Sequence, residues 1–258
     1  FSYTLSSLVL GADVIREPNY TVGVFGAVGR SRMDEHDLVD QELDTDSYSL
    51  GVYGRYGFES GLQLSGLLGY MTARTESERR NTDIGDFTGG TANAEFDSRA
   101  WFAGMKLHQA FERIGWVLTP SASLTYAHLA QEETQESGGG DFTLEIDEAR
   151  AESLVTAIGL DVSFPMVAGD NVWSPVGIFR YEFDWMANAD DEHDVVVSSP
   201  IFGSFDQVGQ NRGAQGILLG LGLTYDHSER VGFGVGYIYA NRTYSEEHSL
   251  SANLTMRW

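Results

Sequence analysis

Apolar and polar residues alternate with a period of two along most of this chain. In its last stretch Leu250, Leu254 and Met256 share one parity with the terminal Trp258, while Asn253 and its polar neighbours take the other. Alternation at period two is typical of a β-strand that has one apolar face and one polar face. The pattern therefore predicts a strand that runs to the last residue and finishes on an aromatic side chain.

The same alternation predicts eleven strands and no amphipathic helix of convincing length. Their approximate ranges are 8–14, 20–28, 48–56, 62–70, 96–107, 118–126, 144–164, 173–183, 217–225, 231–239 and 248–258. The fifth strand is ambiguous, because Trp101 and Ala103 compete with Ala100 and Phe102 for the apolar face, so its facing stays open. We predict an all-β, antiparallel fold in a single domain over residues 1–258.

The connections between these strands alternate in length. Every second connection is a tight turn, at 16–19, 58–61, 112–115, 165–170 and 227–230. The connections between these turns are mostly long and acidic, although the one at 241–246 is shorter than the other long connections. Outer-membrane β-barrels have short periplasmic turns, longer extracellular loops and an even number of strands with both chain ends in the periplasm. The sequence therefore predicts a transmembrane β-barrel of twelve strands, of which one is expected upstream of Phe1.

Composition agrees with a barrel and excludes several other classes. Hydrophobic residues make up 42% of the chain, and no apolar run is long enough for a membrane helix. A search for long apolar runs does not detect transmembrane β-strands, because apolar and polar residues alternate along them. The net charge of −22 argues against a nucleic-acid partner, because phosphate binding needs clustered Lys and Arg. There is no cysteine, and the acidic segment 190–194 lacks the spacing of a calcium loop. We therefore expect no metal and no cofactor.

Six segments, in order, resemble the C-terminal translocator domain of type Va autotransporters. They are Leu8–Asp13, Ser47–Gly54, Leu118–Tyr126, Arg180–Phe183, Gly209–Arg212 followed by Leu218–Leu223, and the final His248–Trp258. The resemblance covers nearly the whole chain except the first strand of that family. It departs from the family pattern at Trp258, where phenylalanine is commoner, and at Ser249 and Asn253, where glycines are usual.

The resemblance implies a twelve-stranded barrel in the outer membrane of a Gram-negative bacterium. Such a domain takes part in exporting an N-terminal passenger, anchors it at the cell surface and is inserted by the β-barrel assembly machinery. A linker helix that runs through the pore joins the passenger to the barrel. The implied partners are therefore outer-membrane lipid and lipopolysaccharide, the assembly machinery, and the protein's own passenger and linker helix, with the barrel itself a monomer.

Two sets of residues are candidates for these roles. If the aromatic face of the strand at 173–183 meets lipid, the charged residues of its other parity face the lumen, since a charge in the hydrocarbon would cost roughly 2–4 kcal/mol. The lumen-facing or linker-contacting candidates are Arg55, Asp161, Arg180, Glu182, Asp184 and Arg212. The candidate assembly signal is formed by Leu250, Leu254, Met256 and Trp258.

The role of the lumen charges stays open at this stage. They could hydrate the pore, hold the linker helix, activate an asparagine for self-cleavage, or simply pair with one another. Aromatic residues that are candidates for the interfacial girdles are Tyr20, Tyr56, Tyr70, Trp116, Trp173, Tyr225 and Trp258.

Two other functions compete with the translocator interpretation. The chain could be a small outer-membrane pore or adhesin that acts through its acidic loops. It could also be a barrel enzyme, with His193 and Asp191 on a mouth loop, but no serine motif accompanies them. We expect no enzyme, with self-cleavage of a linker in the pore as the most that the barrel performs.

Overall fold

The computed structural model describes residues 2–35, 40–169, 171–187, 194–208, 213–227 and 231–256. Nearly all of its regular structure is antiparallel β-sheet, with one short 3₁₀ turn at Gly140–Phe142. In chain order the strands are β1 (Ser2–Arg16), β2 (Tyr20–Glu35), β3 (Asp40–Gly57), β4 (Leu62–Asn81), β5 (Gly90–Gln109), β6 (Phe111–Arg113), β7 (Trp116–Gln131), β8 (Thr134–Gln135), β9 (Glu145–Ile146), β10 (Ala149–Ser163), β11 (Met166–Ala168), β12 (Asn171–Asp184), β13 (Asp194–Ser199), β14 (Gly203–Val208), β15 (Gln215–His227), β16 (Val231–Arg242) and β17 (Ser245–Met256). Among these residues no helix is long and apolar enough to span a membrane.

Eleven of these strands form one continuous antiparallel path, which confirms the predicted strand count. The order is β1, β2, β3, β4, β5, β7, β10, β12, β15, β16 and β17, and the short strands β6 and β11 pair with β7 and β12. Residues of β1 and β17 line a common cavity of about 430 Å³, so the sheet curls until its first and last strands come close together. Within the described residues neither of these two strands pairs with a second neighbour.

The strands are staggered as the wall of a barrel requires. One row of paired residues begins at Tyr20, beside a short turn, passes through Ile158 and ends at Glu246, next to the link at the opposite end of the strands. Such a shift arises when strands tilt relative to the barrel axis. We call the two ends of the barrel the short-turn end and the loop end.

Several predicted loops are in fact strands that extend past the apolar part of the wall. The connections between the predicted strands include 34–46 and 76–94, but β3 begins at Asp40, β4 continues to Asn81 and β5 begins at Gly90. Their outward side chains are charged and pair across strands, for example Arg30 with Asp46 and Arg74 with Glu95. Cross-strand pairs of opposite charge stabilise a sheet without any apolar face, and an apolar alternation therefore misses these extensions.

The predicted long strand at 144–164 is wrong at its beginning. Only Ala149–Ser163 belongs to the barrel path, whereas Glu145–Ile146 joins a separate four-stranded sheet with the order β14, β13, β9, β8. This second sheet lies at the loop end and includes β14, in a stretch where the apolar alternation predicts no strand. Together with the loop at 82–89 and the 3₁₀ turn, it forms what we call the cap.

The facing of β5 is settled by its neighbours. Trp101 pairs with Tyr70, and their rings lie 4.6 Å apart on the outer face. Ala100 and Phe102 therefore face inward, and Ala100 is buried. The wall is one sheet thick, so few apolar side chains are buried and most large ones are exposed on the outer face.

Candidate functional site: the lumen wall

The outer face of the barrel path is apolar. Leu221 and Leu219 of β15 are 70% and 48% exposed, and Val22, Val24 and Val28 of β2 are exposed in the same way. A soluble monomer rarely exposes a continuous apolar surface of this extent. The inner face of the same strands carries mainly glycine, small and polar residues, such as Gly220, Gly222 and Thr224 of β15, which assigns the lumen to the opposite parity.

Aromatic residues mark the two edges of this apolar surface. Tyr20, Tyr56, Trp116, Trp173 and Tyr225 lie near the short turns, whereas Tyr70 lies with Trp101 toward the loop end. The rings of Trp173 and Tyr225 are 4.4 Å apart. Amphipathic rings at these heights suit the membrane interface. Trp258, the remaining candidate, lies outside the described residues.

Large aromatic side chains in the lumen lie flat against glycines of the neighbouring strand. A methyl group on Gly23 would come within 2.3 Å of Tyr53 Cζ, and one on Gly69 within 2.2 Å of Phe102 Cζ. Tyr53 Oη also donates a hydrogen bond to Asp13 Oδ1 at 2.7 Å. These glycines therefore provide the space that keeps the rings against the wall and the lumen clear.

Asp161 lies between two cations on the lumen wall. Its carboxylate is 3.6 Å from Lys106 Nζ and 3.8 Å from Arg180 Nη2, distances that allow attraction but exceed a good hydrogen bond. A methyl group at Gly159 would lie 2.9 Å from Arg180 Cγ, so the glycine lets this arginine lie along the strand. Asp161 Oδ1 is buried and accepts no hydrogen bond within the described part of the chain.

Glu182 and Asp184 also face the lumen, but each already has partners in the wall. Arg242 Nη2 donates to Glu182 Oε2 at 2.7 Å. Asp184 is only 9% exposed. It accepts hydrogen bonds from Ser153 Oγ at 2.7 Å and from the backbone N–H of Leu154 at 3.2 Å. Asp184 therefore holds the end of β12 in place, whereas Glu182 belongs to an ion pair that spans three strands.

Arg55 lies lower on the wall, toward the short turns. It shares the inward parity of Tyr53 and lines a groove together with Lys106. Arg55, Asp161, Arg180, Glu182 and Asp184 thus all lie on the inner parity of their strands. Arg212 lies outside the described residues, as do His193 and Asp191.

The closing strand β17 exposes its apolar parity. Leu250 is 84% exposed, and Leu254 and Met256 are both 60% exposed. β17 pairs with β16 throughout its length, and Leu250 lies opposite Tyr237 on the outer face.

Sequence reasoning missed the polar contacts that hold the cap together. Arg79 donates to both carboxylate oxygens of Glu136, at 2.6 Å and 3.0 Å, and to the carbonyl oxygen of Phe142 at 2.8 Å. The side chains of Arg79 and Glu136 are only 13% and 3% exposed. Both residues fall in segments that look like polar loops, so the contact cannot be found by periodicity.

A second contact closes the same loops. The backbone N–H and hydroxyl of Thr88 donate to the carboxylate of Asp141 at 2.8 Å and 3.0 Å, and these bonds hold the pKa of Asp141 below its ordinary value of 3.8. The rings of Phe87, Phe142 and Phe202 come together with centroids 5.2–6.2 Å apart. Each of these three phenylalanines lies in an otherwise polar connection of the sequence, and this pattern could have indicated a cap.

This geometry defines a class of protein: an antiparallel β-barrel with an apolar exterior, aromatic edges and a polar, ion-paired lumen. A family model for the autotransporter β-domain matches residues 1–238. The chain belongs to the autotransporter β-domain family. It is accordingly an outer-membrane translocator domain that takes part in exporting a passenger and anchors it, as the resemblance implied.

Solved structures agree on the fold. The translocator domain of the autotransporter NalP from Neisseria meningitidis is 20% identical, with a TM-score of 0.77 over 99% of this chain and 82% of that one. The β-domain of the Bordetella autotransporter BrkA is 15% identical, with a TM-score of 0.70 over 99% of this chain and 91% of that one. The transport unit of the autotransporter AIDA-I from Escherichia coli is 13% identical, with a TM-score of 0.56 over 99% of this chain and 84% of that one. A search among curated proteins finds no match.

Proposed function

We propose that the lumen wall of this domain seats the linker that joins its passenger to the barrel, and that Arg180 and Glu182 contact this linker. The observation that supports the proposal is the ion-paired lumen face of β12, which carries both side chains. The Arg180 side chain lies 3.8 Å from its nearest carboxylate and therefore keeps donors available for a second partner. Glu182 has a second carboxylate oxygen beside the one that Arg242 occupies.

A double variant tests this proposal. Arg180→Gln with Glu182→Gln removes both charges and preserves side-chain size, and we expect faster pore opening in planar bilayers and reduced passenger secretion. The matched control is Arg150→Gln with Glu148→Gln, which removes an exposed ion pair outside the lumen. Unchanged secretion, pore closure and processing in the first variant would refute the linker contact.

We also propose that β17 is the signal that the β-barrel assembly machinery recognises. Its apolar parity, Leu250, Leu254 and Met256, continues to Trp258 and suits pairing with a partner in an apolar surrounding. Leu250→Asn should slow insertion into the outer membrane, as followed by the heat-modified gel mobility of the folded barrel. Ser251→Asn, on the other parity, is the control. Equal insertion rates for the two variants would contradict the proposal.

The remaining expectations belong to the same proposal. The domain resides in the outer membrane of a Gram-negative bacterium as a monomer, contacts lipid and lipopolysaccharide with its outer face, and binds neither nucleic acid nor a metal or other cofactor. It has no turnover of its own beyond, at most, cleavage of its linker in the pore. Membrane fractionation, light scattering in detergent and mass analysis of the processed chain test these points separately.

A further inference from the structure

Basic side chains line a groove of about 830 Å³ in the lumen wall near the short-turn end. Arg16, Arg55 and Lys106 reach it from β1, β3 and β5, and the hydroxyl groups of Thr21 and Ser65 share its lining. All five residues have the inward parity of their strands. The groove is therefore part of the lumen and is separate from the contacts of Glu182 nearer the loop end.

The positive charge of this groove is only partly neutralised by its own wall. The carboxylate in its lining, Asp13, accepts a hydrogen bond from Tyr53. Within the described ranges, the guanidinium groups of Arg16 and Arg55 form no hydrogen bond and no ion pair, and the Lys106 ammonium reaches Asp161 only at 3.6 Å. Three cations thus face two carboxylates, Asp13 and Asp161, and Asp161 is shared with Arg180, so the groove keeps a net positive charge in a chain whose net charge is −22.

The far part of the lumen wall has the opposite sign. Strands β12, β15 and β17 carry four inward carboxylates, whereas β12 and β16 carry two inward arginines. The carboxylates are Glu182, Asp184, Asp226 and Glu247, and the arginines are Arg180 and Arg242. An acidic group inside the barrel is therefore attracted toward the side of β1 to β5 and repelled from the other side.

We propose that this groove is an anion site and that it holds carboxylate side chains of the segment that threads the barrel. The nature of the ligand rests on the proposed function, but the anion site itself does not. Arginine and lysine with neighbouring hydroxyl donors recognise a carboxylate or a free phosphate by the same chemistry. The site would orient the threaded segment with its acidic face toward β1 to β5.

The test uses the protein expressed from its complete gene and purified from outer membranes into planar bilayers. The variant carries Arg16→Gln, Arg55→Gln and Lys106→Gln, and the control carries Arg113→Gln, an exposed arginine at the end of β6. We expect the triple variant to open about ten times more often than the wild type, because several ion pairs of modest strength are lost together. Higher salt should raise the opening frequency of the wild type more than that of the variant.

Added peptides separate the anion site from the linker. Hexaglutamate added at the short-turn side should close open wild-type pores but not open pores of the triple variant. Hexalysine should close neither kind of pore. Inorganic phosphate should compete with hexaglutamate for the wild-type pore. Equal block by both peptides, or equal block of wild type and variant, would overturn the anion site. Selective block by hexaglutamate with unchanged spontaneous opening of the variant would instead disprove linker docking alone. If the triple variant does not fold, Arg55→Gln and Arg55→Lys are compared in the same assay, and only the glutamine should weaken the block.

Discussion

The Arg79–Glu136 contact predicts that one carboxylate holds the cap closed. Glu136 is nearly inaccessible to solvent, at 3% exposure, and it accepts two hydrogen bonds from Arg79 and one from the backbone N–H of Leu144. Glu136→Ala leaves the guanidinium buried without its counter-charge. Breaking a buried pair in this way costs about 3–5 kcal/mol.

The same loop region provides a matched control. Glu132 pairs with Arg99, but these side chains are 52% and 61% exposed. An exposed pair contributes about 0–1 kcal/mol because water and salt screen it. Glu132→Ala therefore removes the same charge at a small cost.

Hydrogen exchange of the backbone amides measures both costs locally. In Glu136→Ala the amides of 134–146 should exchange between about a hundredfold and a few thousandfold faster, up to the limit of a fully open loop, while barrel amides keep their rates. The double variant Arg79→Met with Glu136→Met should recover much of the protection, because no buried charge remains. Equal exchange in Glu136→Ala and Glu132→Ala would refute the argument.

Three further predictions concern the wall and the cap. Gly69→Val forces the ring of Phe102 from its place and should lower the free energy of unfolding by about 1–3 kcal/mol in urea titrations, with Phe102→Ala restoring part of the loss. The pKa of Asp141 is lower in the folded protein than its ordinary value of 3.8. Its hydrogen bonds to Thr88 therefore stabilise the cap fully above pH 3.8, and this stabilisation is lost as the pH falls through the pKa of the folded state. Proteolysis of the cap should therefore accelerate in acid, and Asp141→Asn should remove this dependence. Leu221→Arg places a charge on the outer face and should cost roughly 2–4 kcal/mol in lipid, whereas the same change at a lumen-facing position of that strand should cost less.

Most of the barrel could be predicted from sequence because its outer and inner faces differ in polarity. The parity of β12 was enough to direct Arg180 and Glu182 into the lumen. Parity did not decide the facing of β5, where Phe102 and Ala100 lie inside, because Gly69 in the neighbouring strand makes room for an apolar ring in the lumen. Such a contact depends on the register between two strands, which one sequence does not specify.

The cap was missed for a different physical reason. Its strands are two to six residues long and carry few apolar side chains, so they have no periodicity to detect. The contacts that build it join residues far apart in the chain, such as Arg79 with Glu136 and Thr88 with Asp141. The groove around Arg55 likewise exists only because the register places the basic residues of β1, β3 and β5 in one row of paired residues.

The unequal strand lengths give the mouth of the barrel a sloping rim. Within the described residues, β3, β4 and β5 contain 18, 20 and 20 residues, whereas β15, β16 and β17 contain 13, 12 and 12. At about 3.3 Å per residue, a difference of roughly seven residues raises one side by about 20 Å before tilt is considered. A polypeptide that leaves the lumen would be covered by the long strands on one side and exposed to water on the other side. We therefore expect proteases and antibodies to reach an emerging chain first from the side where the strands are short.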